Sequence, residues 1–90
     1  MSNLIENKIT IRGKHKDIQE LFDTFDVEKR IEEYRAKCAP VFCGYSDIKN
    51  GWATIWIDTD HVPLQETSFA GILYREYPRL EFFESYEGFF

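Results

Sequence analysis

The clearest folding signal in the chain is the run Asn50-Gly51-Trp52-Ala53-Thr54-Ile55-Trp56-Ile57-Asp58. An Asn-Gly pair is the strongest short-range signal for a two-residue hairpin turn. After the pair, residues 53, 55 and 57 are apolar and alternate with Trp52, Thr54 and Trp56, which is typical of a half-buried strand. Residues 41–46 before the pair also read as a strand, so the sequence predicts a hairpin of two antiparallel strands here.

Two further strands lie near the ends of the chain. In residues 7–13, two isoleucines alternate with Lys8, Thr10 and Arg12, so the isoleucines share one face and the polar residues share the other. Residues 79–86 are rich in aromatic and aliphatic side chains and predict the last strand.

Helical spacing of apolar residues marks three helical segments between these strands. Asp26 suits the N-cap of the second segment, which is either a separate short helix or a kinked continuation of the first. Pro63 lies in the predicted first turn of the last helix, and Pro78 ends it. The three apolar stripes are Ile18, Leu21, Phe22 and Phe25; Val27, Ile31, Tyr34 and Cys38; and Leu64, Phe69, Ile72, Leu73 and Tyr77.

The resulting order is β-α-(α)-β-β-α-β, which fits an α+β, ferredoxin-like sandwich with the helices on one face of an antiparallel sheet. We expect residues 1–90 to form one such domain, with spatial strand order 4-1-3-2. The first and third strands are then central, so Lys8 and Arg12 lie beside Trp52 and Trp56 on the uncovered face. The predicted core consists of Ile9, Ile11, Leu21, Phe22, Ile55, Ile57, Ile72 and Leu73.

The composition is that of a folded acidic protein. The 90 residues are 43% hydrophobic and 17% aromatic, with a formal net charge of −5, which excludes a disordered chain. No apolar run approaches the roughly 18 residues needed to cross a membrane, and the first residues do not resemble a signal peptide. With two cysteines and no export signal, we expect a cytoplasmic protein without membrane association.

Charge is distributed unevenly along the sequence. Four basic side chains lie within the first 16 residues, where Glu6 is the only carboxylate. Two acidic clusters follow, of which the first is helical and the second lies near the carboxyl end. They consist of Asp17, Glu20, Asp23, Asp26, Glu28 and Glu32, and of Glu81, Glu84 and Glu87. An acidic surface of this kind suits a basic protein partner, or serves solubility alone.

Candidate catalytic and metal-binding groups are few. Cys38 and Cys43 are five residues apart and lack the further ligands that a structural zinc site needs. Asp58, Asp60 and His61 could coordinate a metal, but Asp residues in a strand-to-helix turn are more often helix caps. The carboxylates of the second acidic cluster could act as general acid and base, or they keep an edge strand solvated. We therefore expect no enzyme activity, no metal and no cofactor.

Several short segments resemble one known family. They are Asn7-x-Ile9-x-Ile11-x-Gly13, Thr54-Ile55-Trp56, Val62-Pro63, Tyr77-Pro78-Arg79-Leu80-x-Phe82 and Tyr86-Glu87-Gly88-Phe89. Together they are similar to the YubB-type ferredoxin-like proteins, which are carried by plasmids, integrated islands and phages and whose function is largely undescribed. The resemblance implies a mobile-element setting, and it transfers no catalytic residue to this chain.

The sequence therefore favours a small, non-enzymatic protein-binding module. In a mobile-element setting, the most specific form of this hypothesis is an inhibitor of host defence, such as an anti-CRISPR protein. Its carboxylates would replace phosphates on a basic nucleic-acid-binding surface. The alternative is an RNA- or single-stranded-DNA-binding module that uses Lys8, Arg12, Trp52 and Trp56 on the uncovered sheet face. The net charge and the missing RNA-recognition signature count against direct nucleic-acid binding. The same face could also pair two copies of the chain.

Overall fold

The computed structural model describes residues 4–33, 39–67 and 69–89. Four strands and three α-helices occupy these residues, with a short 3-10 turn before the last helix. The elements are β1 (Leu4–Arg12), α1 (His15–Thr24), α2 (Val27–Glu33), β2 (Val41–Tyr45), β3 (Trp52–Asp60), the 3-10 turn (Leu64–Thr67), α3 (Phe69–Glu76) and β4 (Glu81–Phe89). No helix in the described part of the chain is both long and apolar enough to span a membrane.

The strands form one antiparallel sheet in the order β2-β3-β1-β4. Read from the opposite edge, this is the predicted order 4-1-3-2, and the ferredoxin-like α+β fold is confirmed. In the centre of the sheet, Ile9 of β1 pairs with Ile55 of β3 on one side and with Glu84 of β4 on the other. β2 is a short edge strand, and a register shift between Phe42 and Gly44 marks a bulge in it.

The Asn50-Gly51 turn closes the hairpin between β2 and β3, as predicted. Both residues have positive φ, 53° and 79°, which a type I′ turn requires. The Lys49 N–H donates to the Trp52 carbonyl and the Trp52 N–H donates back to the Lys49 carbonyl, each at 2.9 Å. Gly51 also lies against the end of β1, because a Cβ there would come within 2.9 Å of the Gly13 carbonyl oxygen. A larger residue at this position would push the turn away from β1.

The helices cover one face of the sheet and bury the core there. β1 and β3 contribute alternate residues, and the helices contribute residues of the predicted stripes. The fully buried members include Ile9, Ile11, Ile18, Leu21, Ile55, Ile57, Phe69 and Leu73. Phe22 and Ile72, which the sequence also places in the core, are only partly buried at its edge. Phe22 reaches the edge strand, where its ring stacks on that of Tyr45 at 4.3 Å between centroids.

A polar side chain, that of Asn7, lies within the core face of β1. Its Nδ2 donates to the Ile57 carbonyl and to Thr59 Oγ1, both at 2.9 Å, and its Oδ1 accepts from the Leu64 N–H at 2.8 Å. The amide therefore joins β1 to β3 and to the 3-10 turn while its own buried polar atoms are satisfied. Sequence alternation places Asn7 on the core face but does not reveal these partners.

α2 is separate from α1 rather than a kinked continuation of it. Phe25 ends α1 in an extended conformation, with φ −93° and ψ 113°. Asp26 then caps α2 as predicted, because its Oδ1 accepts a hydrogen bond from the Lys29 N–H at 3.0 Å. The predicted stripe of this helix also contains Tyr34 and Cys38, which lie outside the described residues.

The segment after β3 differs from the prediction that Pro63 lies in the first turn of a helix. β3 continues to Asp60, and His61 then takes a positive φ of 48°. The chain makes its 3-10 turn before α3 begins. The hydrogen bond from the Leu64 N–H to Asn7 holds this turn against β1, and no local sequence signal contains such a long-range contact.

Candidate functional site

The face of the sheet opposite the helices is open and carries a mixed set of rings, cations and hydroxyls. On the two central strands the register pairs Lys8 with Trp56 and Arg12 with Trp52. The four residues that the sequence assigns to this face therefore lie together. The neighbouring open-face positions hold Thr10, Thr54, Glu81, Phe83 and Ser85, and Glu81 is the β4 partner of Arg12.

Two exposed rings and a guanidinium group lie close together at one end of this open face. The Arg12 guanidinium carbon is 5.5 Å from the centroid of the Trp52 ring, which is within cation–π range. The Phe83 ring of β4 lies 6.3 Å from the Trp52 ring. Trp52 and Phe83 are 44% and 48% exposed, so both rings are accessible to a ligand. We call Lys8, Arg12, Trp52, Trp56 and Phe83 the cationic half of the open face.

The other end of the open face is acidic. Glu6 of β1 pairs with Asp58 of β3 and with Glu87 of β4, which places three carboxylates in one row across the sheet. This row is two residues from Lys8, or about 7 Å along the strand. Cations outnumber carboxylates at the other end, where Lys8 and Arg12 lie with the single carboxylate Glu81, so the two ends differ in charge in a way that the net charge of −5 does not show.

A basic groove continues from the cationic half around the end of β1. It has a volume of about 620 Å³ and is walled by the junction of β1 and α1, by the hairpin turn and by the loop before β4. The charged side chains that line it are Arg12, Lys14, Lys16, Asp17 and Arg79. Among the described side chains, none of the four cations has a carboxylate oxygen within 4 Å. Sequence reasoning missed Arg79 because it is distant in sequence and is brought to the groove by β4.

The first acidic cluster forms an exposed surface only in part. Asp17 is 8% exposed, so its prediction as part of an exposed acidic face is wrong. It lies in the first turn of α1 beside the buried Ile18, and it lines the basic groove. The other members of the cluster are exposed on α1, on α2 or between them: Glu20, Asp23, Asp26, Glu28 and Glu32.

The second acidic cluster is divided between the two faces of β4. Glu81 and Glu87 lie on the open face, as their register with β1 shows. Glu84 lies on the helix side, where its carboxylate accepts a hydrogen bond from the Ala70 N–H at the start of α3. The prediction of one acidic patch is therefore wrong, because a spacing of three residues reverses the face of a strand.

Glu84 should make the stability of the protein depend on pH. Burial raises the pKa of Glu84, and the hydrogen bond from Ala70 opposes this shift only in part. Because the folded chain holds this proton more tightly than the unfolded chain, the contribution of Glu84 to stability is fully present below the ordinary pKa of 4.5 and is lost as pH rises through the folded-state pKa.

Glu84→Gln should reduce the loss of stability with rising pH. The amide oxygen can still accept the hydrogen bond from the Ala70 N–H, and the amide carries no charge. Urea denaturation midpoints measured from about pH 4 to pH 7 test the expectation. Asp47→Asn, which removes a carboxylate from an exposed position in the loop between β2 and β3, is the control. An equal change of slope in the two variants would contradict the role assigned to Glu84.

The remaining candidate groups are Asp58, Asp60, His61 and the two cysteines. Among the residues that the structure describes, no three His, Cys, Asp or Glu side chains are placed to hold a metal ion. Asp58 and Asp60 lie on β3 rather than in a turn, and Asp60 Oδ1 is 3.1 Å from His61 Nδ1. Desolvation and, to a smaller extent, hydrogen bonding with Asp58 raise the pKa of the Cys43 thiol, which makes it a poor nucleophile. Cys38 lies outside the described residues.

Comparisons with models of protein families, with curated proteins and with solved structures found no match for this chain. The side chains of the open face and of the basic groove are therefore the basis for assigning a function.

Proposed function

We propose that this chain is a non-catalytic module that binds single-stranded nucleic acid on the cationic half of its open face. The observation that carries the proposal is that exposed aromatic rings and cations occupy the same end of the sheet. Trp52 and Phe83 present their rings to solvent, and Arg12 lies over Trp52. RNA-recognition modules with a four-stranded sheet bind RNA in this way, by stacking two or three bases on exposed aromatic residues.

Each component of this surface matches one part of a nucleotide. Stacking of a base on an aromatic ring contributes about 1–3 kcal/mol and tolerates any sequence, because every base has a π-face. Arg12 and Lys8 supply positive charge for the phosphates. Thr10 lies between Lys8 and Arg12 on β1, and it pairs with Thr54 of β3. The two hydroxyls can hydrogen-bond to sugars or base edges.

The sequence-based objection to nucleic-acid binding is the net charge of −5, and the distribution of charge in the fold weakens it. The screening length is about 8 Å at physiological ionic strength. A phosphate beside Arg12 is therefore influenced mainly by the charges near it. The groove cations Lys14, Lys16 and Arg79 outnumber the carboxylates Asp17 and Glu81 there. The acidic row at Glu6 instead limits the length of strand that the face can hold, so we expect a short footprint and modest affinity.

Titration with single-stranded oligonucleotides, followed by tryptophan fluorescence, tests the proposal. We expect oligo-dT and oligo-U of about ten nucleotides to quench the fluorescence with a Kd of about 10⁻⁴–10⁻⁶ M. The affinity should fall with salt, with a log–log slope of about −0.7 for each phosphate contacted. Duplex DNA of the same length should bind more weakly, because paired bases are not free to stack on the rings. The absence of binding by either oligonucleotide at about 50 mM salt would overturn the proposal.

The exposed carboxylates of α1 and α2 favour a second candidate function, the occlusion of a basic surface on a protein partner. Glu20, Glu28 and Glu32 are exposed, and among the described side chains none has a cationic nitrogen within 4 Å. Glu28 and Glu32 are four residues apart on α2, a spacing that places the two Cβ atoms about 5–6 Å apart. Their carboxylates can therefore take the place of neighbouring phosphates on such a surface. In this function the chain would inhibit a nucleic-acid-handling protein, as expected of an inhibitor of host defence.

Charge reversal separates the two candidate functions. Glu20→Lys combined with Asp23→Lys leaves the buried Asp17 unchanged, so the fold should persist. If the second candidate is right, this variant should lose a basic partner captured from nuclease-treated lysate, mainly through slower association. Asp47→Lys combined with Glu87→Lys makes the same change in net charge outside α1 and α2 and is the control. Equal capture by both variants, or no capture by the unmodified chain, would contradict the second candidate.

A further inference from the structure

We propose that the basic groove binds a phosphate monoester, namely the terminal phosphate of a strand that lies on the cationic half. This inference rests on the proposed nucleic-acid function and adds the end of the strand as the feature that the module recognises. It follows from the charge of the groove, from its position next to Trp52 and from the segments that wall it.

The groove collects more positive charge than an internal phosphate requires. Lys14, Lys16 and Arg79 line it together with Arg12, and Asp17 is the one carboxylate among its lining residues. A phosphodiester carries a single negative charge, whereas a phosphate monoester carries about −1.5 to −2 near neutral pH. Among the described side chains, none of the four groove cations has a carboxylate oxygen within 4 Å. Their positive charge therefore favours the monoester over the phosphodiester.

The groove is continuous with the stacking surface. Arg12 and Trp52 belong both to the cationic half and to the lining of the groove. A base stacked on Trp52 would therefore place its phosphate beside Arg12, at the entrance to the groove. Lys14, Lys16 and Arg79 line the groove, whereas Lys8 lies on the sheet and does not line it. The groove and the cationic half can therefore hold adjacent parts of one ligand.

Three segments that are distant in sequence wall the groove at the point where the sheet ends. The Gly13 N–H donates to the Gly51 carbonyl at 3.0 Å, which joins the end of β1 to the hairpin turn. The loop with Arg79 is the third segment, and α1, which follows β1 directly, begins at His15. β1 ends at Arg12, beside the groove. A nucleic-acid strand that lies on the open face would therefore place its terminal nucleotide at the groove.

Six-nucleotide oligo-dT with a 5′-phosphate, with a 3′-phosphate or with neither tests the inference by fluorescence titration. We expect one of the two phosphorylated forms to bind at least about tenfold more tightly than the unphosphorylated form. Lys14→Gln combined with Arg79→Gln changes two exposed side chains and should abolish this preference. Lys29→Gln combined with Arg75→Gln removes the same charge from exposed positions on α2 and α3, and it should retain the preference.

Asp17→Asn tests the same groove in the opposite direction. The substitution keeps the shape of the buried side chain and removes the negative charge, so the preference for the phosphorylated end should increase. Circular dichroism of each variant checks that its fold persists. Equal binding of phosphorylated and unphosphorylated oligonucleotides by the unmodified chain would overturn the inference while leaving the proposed function standing.

Competition with inorganic phosphate and with a nucleoside monophosphate separates a strand end from a free ligand. If a phosphorylated strand end is the ligand, these compounds should compete only weakly, because they lack the stacked bases next to the terminal phosphate. Binding of these compounds without any binding of oligonucleotides would overturn both the strand-end assignment and the proposed function, even if it depended on Lys14 and Arg79.

Discussion

Phe69→Ala should lower the free energy of unfolding by about 3–5 kcal/mol, which is a large part of the stability expected for a domain of 90 residues. The Phe69 ring is 0% exposed at the start of α3 and belongs to the core between the helices and the sheet. Its removal leaves a cavity, because closely packed neighbours relax only partly into the space. Urea denaturation at neutral pH, followed by circular dichroism, measures the loss.

Phe22→Ala is the matched control, because it removes the same atoms from a partly buried position. The Phe22 ring lies at the edge of the core and stacks on Tyr45, so water can reach part of the space that it leaves. We expect a loss clearly smaller than that of Phe69→Ala. Equal losses in the two variants would mean that Phe22 is as deeply packed as the helical stripe in the sequence implies.

Trp52→Ala should weaken the binding of single-stranded oligonucleotides by about 1–3 kcal/mol, which corresponds to roughly 5- to 150-fold in Kd. Trp52 is the exposed ring that contacts both Arg12 and Phe83, so its removal takes away a stacking platform and leaves Arg12 without its aromatic neighbour. Trp56 is half-buried beside Lys8, and its replacement should have a smaller effect. Fluorescence anisotropy of a labelled oligonucleotide measures all of these affinities without relying on the tryptophan signal.

Tyr74→Ala controls for the loss of an exposed aromatic ring as such. Tyr74 is 56% exposed on α3, on the covered side of the sheet, and its replacement should leave oligonucleotide affinity unchanged. Trp52→Phe should retain most of the affinity, because a smaller ring can still stack. If the Trp52→Ala variant binds oligonucleotides with the affinity of the unmodified chain, the bases do not stack at this end of the sheet.

The fold was predictable because its signals are local and agree with one another. The Asn50-Gly51 pair specifies the hairpin, and alternation in β1 and β3 assigns each residue to a face. A chain of this length with helices on one face of the sheet has few arrangements open to it, and the ferredoxin-like order is the one observed. The 3-10 turn before α3 was missed because it depends on the contact between Asn7 and Leu64, which are far apart in sequence.

The candidate site was predictable only in its central part. Lys8, Arg12, Trp52 and Trp56 lie on one face because period-two alternation and strand order are enough to place them there. The approach of Phe83 to Trp52 depends in addition on the register of β4, which no turn signal specifies.

Charge placement required the folded chain. Asp17 and Glu84 belong to acidic clusters in the sequence, yet one lines a basic groove and the other faces the start of α3. Arg79 joins Lys14 in the groove because β4 is the neighbour of β1.

Periodicity and turn signals establish which elements form and which side chains share a face, because these properties depend on residues only a few positions apart. Strand order and register establish which charges meet, because they bring together residues that are distant along the chain, and the cationic half and the basic groove both arise at that level.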